Sequence, residues 1–124
     1  MIHAMNISLT ENGAAVNQVV ASQTADGSTR REIVIAPAAS NFSVVCAIKA
    51  ANLKAILMWA DAAMTVLTKS SVPATVNTFN LVAGKPLIWQ YDFPTSNPIT
   101  GDCVTLAVSS TPGGNLYLYY MEDA

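Results

Sequence analysis

An antiparallel β-sandwich, with the jelly roll as one of its forms, is the fold this sequence predicts, and three observations predict it. Short alternating or β-branched runs recur about every ten residues, a spacing of strands rather than helices. Clusters of Gly, Pro, Asn, Asp and Ser separate the runs. Hydrophobic residues make up 52% of the chain and charged residues 11%, so there is apolar material for a core and too little charge for a disordered or polyelectrolyte segment. A chain of 124 residues makes one domain, so residues 1–124 are read as a single all-β unit of eight to ten strands.

The first two strands are expected at 5–9 and 15–21. Residues 22–31 are polar, hold Arg30 and Arg31, and read as a mobile surface loop before a strand at 31–35. At 42–49 the inward set is Phe42, Val44, Cys46 and Ile48; Val45 is the misfit among the outward residues. In residues 50–64, Leu53, Ile56, Leu57, Ala60 and Met64 also fit helical spacing, and alanine favours helix. Strand is preferred at 53–59 because Leu53, Ala55, Leu57 and Trp59 alternate, and the 60–63 link is short enough for a hairpin into 64–69. Strands follow at 75–82 and 86–91, the latter with Pro86 at its start, where a missing N–H does least harm. Residues 92–102 hold Pro94 and Pro98 and form a crossover or a presented loop.

In the strand 103–109, Val104, Leu106 and Val108 form the dry face and Thr105, Ala107 and Ser109 the wet one. The last strand, 116–121, adds Leu116 and Leu118 across the turn Pro112-Gly113-Gly114-Asn115, and the two strands read as a closing hairpin. On this reading Leu106 and Leu118 are buried, while Ser110 and the tail 122–124 are dispensable.

Six Lys+Arg against eight Asp+Glu leave no basic footprint, so nucleic acid is not an expected partner. One histidine and two cysteines leave little for acid–base catalysis or a metal cage, and neither an enzyme nor a metal or cofactor is expected. His3 has no neighbouring ligand or acid and reads as a surface or edge-strand residue. Gly84-Lys85 lacks the first glycine, the Ser/Thr and the helix of a phosphate loop, and Asp61, Asp92 and Asp102 lack the spacing of a calcium loop. Ser, Thr, Asn and Gln number 33, more than twice the charged residues. Hydroxyls and amides are cheaper to desolvate than ions, so such a surface suits packing against other subunits.

The start of the chain has no basic region, and Asn6, Ser8 and Thr10 interrupt any apolar one, so no signal peptide is expected. The apolar run 55–60 is far shorter than the roughly 20 residues that cross a bilayer, and no membrane is expected as a partner. Synthesis in a reducing cytoplasm makes Cys46 and Cys103 buried thiols rather than a bridge.

Trp59, Trp89, Tyr91, Tyr117 and Tyr119 are the candidates for an interface or for stacking on a ligand. Exposed, they would form platforms for sugar rings, which makes carbohydrate the alternative partner. The preferred reading puts Trp89 in the core and Tyr117 and Tyr119 on a half-buried face against a neighbouring subunit, because a sugar site also needs clustered carboxylates or amides.

Asn80-Leu81-Val82-Ala83-Gly84-Lys85-Pro86-Leu87-Ile88-Trp89, followed by Asn97-Pro98, Asp102 and Val104-Thr105-Leu106-Ala107-Val108, resembles small β-sandwich proteins encoded among tailed-phage virion genes. The resemblance covers about the second half of the chain and implies a capsid decoration, head-fibre or other minor virion protein. Such proteins are oligomeric and offer no catalytic residues to carry over. A capsid or other virion protein is then the expected partner, and the virion, after synthesis in a host cytoplasm, the expected location. Sheet edges with few guarding charges need covering, so a homo-oligomer, a trimer first, is expected.

Overall fold

The computed structural model describes residues 2–11, 14–24, 27–72 and 74–123, with side chains from residue 27 onward; His3 and the other side chains of the first two strands lie outside this set. β1 (Ile2–Glu11) and β2 (Ala14–Thr24) pair antiparallel as a two-stranded ribbon. The remaining strands are β3 (Gly27–Ile35), β4 (Ala39–Ile48), β5 (Leu53–Ala60), β6 (Met64–Lys69), β7 (Thr75–Leu81), β8 (Leu87–Gln90), β9 (Cys103–Ser110) and β10 (Gly114–Glu122). They form two four-stranded antiparallel sheets, sheet I in the order β3-β10-β5-β8 and sheet II in the order β4-β9-β6-β7. β3 pairs with β10, β4 with β9, β5 with β8 and β6 with β7, a nested order that is one long hairpin rolled into two layers, the jelly roll. The expected sandwich is therefore the observed fold. Within residues 50–64 the preferred strand is observed as β5, preceded by a single 3-10 turn, Ala50–Asn52, and followed by the short link 61–63 into β6.

Nesting sends the chain from one sheet to the other at nearly every link, and two expected hairpins are corners instead. Residues 61–63 carry β5 of sheet I into β6 of sheet II, and 111–113 carry β9 of sheet II into β10 of sheet I. A short link serves a hairpin or a corner equally well; here the two corners bond to each other. Asn115 N–H donates to Asp61 Oδ1 at 2.8 Å, and Ser110 Oγ donates to the Ala63 carbonyl at 2.8 Å. Gly113 has φ +71°, and a Cβ on it would lie 2.6 Å from the backbone N of Pro37, so the bend requires glycine.

Residues 27–31, expected in a loop, are the first part of β3. They pair in register with β10 from Gly27↔Glu122 to Arg31↔Leu118, and the Arg30 guanidinium lies 5.5 Å from the centre of the Tyr119 ring. Stacking of arginine on an aromatic ring holds a polar strand that has no apolar alternation of its own.

Ile33, Ile56, Met58, Leu116, Leu118 and Tyr120 of sheet I meet Val44, Cys46, Ile48, Val66, Leu106 and Val108 of sheet II in the core. Val104 departs from the expected dry face and is 40% exposed. Between Val45↔Thr105 and Ile48↔Cys103 two residues of β4 oppose one of β9, a bulge that shifts the alternation of β9 so that Cys103 is buried and Val104 surfaces. Phe42 is 50% exposed because β4 is an edge strand and its pairing skips between Ala39 and Phe42, at Asn41 with φ +51°. Val45, the outward misfit, is 74% exposed, and Ala107, though on the wet face, is buried.

The 91–102 connection crosses from β8 of sheet I to β9 of sheet II. It is held by bonds between Asn77 and Thr100 and by Asn97 Nδ2 donating to the Ala50 carbonyl at 3.0 Å, and it sends Ile99 into the core. The tail is not idle either: Glu122 accepts from Lys49 N–H at 2.8 Å and Asp123 N–H donates to the Asn52 carbonyl at 2.9 Å.

Candidate functional site

The five aromatic candidates fall in three places. Trp59 and Tyr117 are register partners on the outer face of sheet I, and their rings stack with centroids 4.4 Å apart and planes 14° from parallel. Tyr119 stands two residues along β10 beside Leu57, under Arg30. Trp59, Tyr117 and Tyr119 are thus brought together, each half-buried. Trp89 points the other way, into the core, with Nε1–H bonded to the Thr95 carbonyl at 2.9 Å. Tyr91 lies just past β8, 61% exposed, with Lys54 Nζ 4.0 Å from its ring centre. Stacking occupies one face of Trp59 and one of Tyr117, so the pair stands up from the sheet as a ridge rather than lying flat as a platform.

A second feature is a groove of about 620 Å³ at the end of the sandwich where the corners meet. Met64, Thr65, Asn80, Leu81, Ser109 and Thr111 are among its walls, and no ionisable side chain among the described residues lines it. Its polar groups are partly engaged with each other: Thr65 Oγ1 donates to Asn80 Oδ1 at 3.1 Å, and Ser109 Oγ accepts from Asn41 N–H at 2.9 Å. The groove offers hydrogen bonds and apolar contact. The aspartates weighed as oxygen ligands are separated in the structure, Asp61 bonded to Asn115 and Asp102 accepting from Ala50 N–H at 3.0 Å.

Two features escaped the sequence reading. Cys46 and Cys103, 57 residues apart, meet inside sheet II with their Sγ atoms at 3.2 Å. Their inward positions were legible in part, but which strand lies beside which is set by the nested topology. Cys103 is lowered to about 7 by the hydrogen bond from Cys46, against the opposing effect of burial; the same bond and burial raise Cys46. The other feature is the distribution of charge. The four strands of sheet II contain one charged side chain, Lys69, whereas sheet I holds Arg30, Arg31, Glu32, Lys54 and Glu122. Alternation within single strands does not reveal which strands will share a sheet.

Comparison with known proteins finds no matching protein family, no matching curated protein and no matching solved structure.

Proposed function

We propose that the chain is a non-enzymatic structural subunit of a phage-like particle, a decoration, cement or minor virion protein, that acts by packing against other subunits as a homo-oligomer, a trimer first. The observation that supports this reading is the near absence of charge from sheet II, whose outer face presents Ser43, Val45, Thr105, Leu67 and Thr78 around the single Lys69. Covering that face desolvates hydroxyls, methyls and one ammonium, a small cost beside that of covering a charged sheet. The resemblance of the second half to tailed-phage virion proteins supports the same reading. Carbohydrate binding has less support, because the stacked Trp59–Tyr117 pair turns ring faces toward each other and Trp89 is buried.

Light scattering on the purified chain and co-sedimentation with assembled phage particles test the proposal. The expected result is a trimer that co-sediments, and a Val45→Glu/Leu67→Glu variant that is monomeric, no longer co-sediments and keeps its melting temperature. A wild-type monomer at micromolar concentration that stays out of the particle pellet overturns it, as does a specific glycan bound by wild type and lost in Trp59→Ala.

A further inference from the structure

We propose that Cys46 and Cys103 are an oxidation site, a dithiol that a hydroperoxide converts into a disulfide tying edge strand β4 to β9. The proposal is independent of the particle role. Its basis is geometric. The two Sγ atoms are 3.2 Å apart, on neighbouring strands, at the bulge where two residues of β4 oppose one of β9. A bulge loosens the ladder locally, so the sulfurs can close the last ångström to a bond length of about 2.05 Å without breaking regular pairing. β4 pairs with β9 alone in sheet II, which makes it the strand that a covalent tie changes most.

The chain of hydrogen bonds orders the chemistry. Cys103 S–H donates to the Thr105 carbonyl at 3.2 Å, which leaves its sulfur to accept from Cys46 S–H. Cys103, the more readily ionised of the two, is the nucleophile. Its thiolate attacks one oxygen of the peroxide, the O–O bond breaks, and a sulfenic acid forms with release of hydroxide. Cys46 then loses its proton and attacks Cys103 Sγ; the S–O bond breaks and the departing hydroxide takes up that proton as water. In sum two thiols and one hydrogen peroxide give one disulfide and two waters, the thiols losing two electrons that reduce the peroxide. Hydrogen peroxide is small enough to reach a buried pair beneath an edge strand, where a bulky thiol reagent is not.

The experiment treats the reduced, folded protein with dilute hydrogen peroxide, blocks remaining thiols after denaturation, and maps peptides without reduction, so that methionine oxidation is scored separately. The expected product is a cross-linked pair of peptides carrying Cys46 and Cys103, lighter by two hydrogens and separated by dithiothreitol. Melting temperature should rise by about 5 to 15 °C in the oxidised protein, because the bond closes a loop spanning much of the chain. In Cys46→Ser the intermediate should be trapped as oxygen added to Cys103. Wild-type protein that gains oxygen at cysteine without forming the cross-link, that forms only links between chains, or whose two thiols remain fully alkylatable after the methionines are oxidised overturns the proposal.

Discussion

Ser110 Oγ donates to the carbonyl of Ala63 at 2.8 Å, joining the corner between β9 and β10 to the corner between β5 and β6. The same oxygen accepts from the Gly113 amide at 3.1 Å, and Ser110 is buried. Alanine at this position, harmless if the segment were an exposed hairpin, leaves the buried Gly113 N–H without its partner and removes the bond to the carbonyl of exposed Ala63. An orphaned buried donor costs about 1 to 3 kcal/mol, so Ser110→Ala should lower the melting temperature clearly, whereas Thr111→Ala, on the exposed side of the corner, should stay within about 0.5 kcal/mol of wild type. Equal melting of both variants would show that the corners do not depend on this bond.

Gln90 presents the opposite situation. It is 0% exposed, opposite Ala55 in the β5–β8 pair, and neither its amide oxygen nor its nitrogen has a hydrogen-bond partner among the described residues. An unsatisfied buried amide is a standing penalty, and an apolar side chain of similar volume removes it. Gln90→Met should raise stability by about 1 to 2 kcal/mol in urea denaturation. A loss of that size instead would mean that the amide is engaged in solution.

The sequence reading and the structure part at particular residues for particular reasons. Leu106, Val108, Leu116 and Leu118 are buried as their alternation requires, since period-2 patterning is a local property of the strand. Val104 belongs to the same pattern and is misplaced because a bulge depends on the partner strand, which local alternation does not name. Arg30 looks like a loop residue until Tyr119 is beside it, and Arg31 until its guanidinium donates to the Val45 carbonyl of β4. Trp59 and Tyr117 were both legible as candidates, but their stacking follows from a register across 58 residues of intervening topology, as does the meeting of Cys46 with Cys103. Sheet membership decides these contacts, and sheet membership is a property of the whole nested order.

Leucine truncations should separate the core from the bulge. Leu118 in sheet I and Leu106 in sheet II are both fully enclosed. Alanine at either should cost about 2 to 5 kcal/mol, the transfer term plus the cavity left behind. Val104→Ala, on the exposed side of the bulge, should cost less than about 1 kcal/mol. A Val104 variant as damaged as the leucine variants would place the break in alternation elsewhere along β9.

The C-terminal tail provides a further check on how β10 ends. Removing residues 122–124 deletes the carboxylate that accepts from Lys49 N–H, the Asp123 amide bond to Asn52 and the Lys54–Asp123 ion pair at 3.5 Å. The ion pair is partly in solvent and adds little, so the loss falls on the bond from Lys49 N–H to the Glu122 carboxylate, the bond from Asp123 N–H to the Asn52 carbonyl and the last pairings of β10, Glu122 with Gly27 and with Leu53, about 1 to 3 kcal/mol together. The truncated protein should fold with a lower denaturation midpoint, and Asp123→Ala, which keeps the backbone amide, should lie close to wild type. Full-length stability in the truncation would remove the tail from the structural account.

The stability of the reduced protein should depend on pH through the thiol pair. Below pH 7 both thiols are protonated in the folded and in the unfolded chain, and the pair contributes no pH dependence. Cys103 is lowered from 9.0 to about 7 on folding, chiefly by the hydrogen bond from Cys46. Between these values the folded protein has released a proton that the unfolded chain retains, so stability rises with pH, by at most about 1.4 kcal/mol per unit. This gain is complete above 9.0 and is lost again as pH falls through 7. Cys46 acts in the other direction: its pKa is raised on folding, so above 9.0 the unfolded chain ionises it while the folded one does not, and stability declines as pH rises further. Urea midpoints measured under reducing conditions below pH 7, at pH 9 and well above it should therefore pass through a maximum relative to a Cys46→Ser/Cys103→Ser variant, in which every other titrating group is the same. A constant difference between the two proteins across that range would mean that the sulfurs do not share a proton in the folded state.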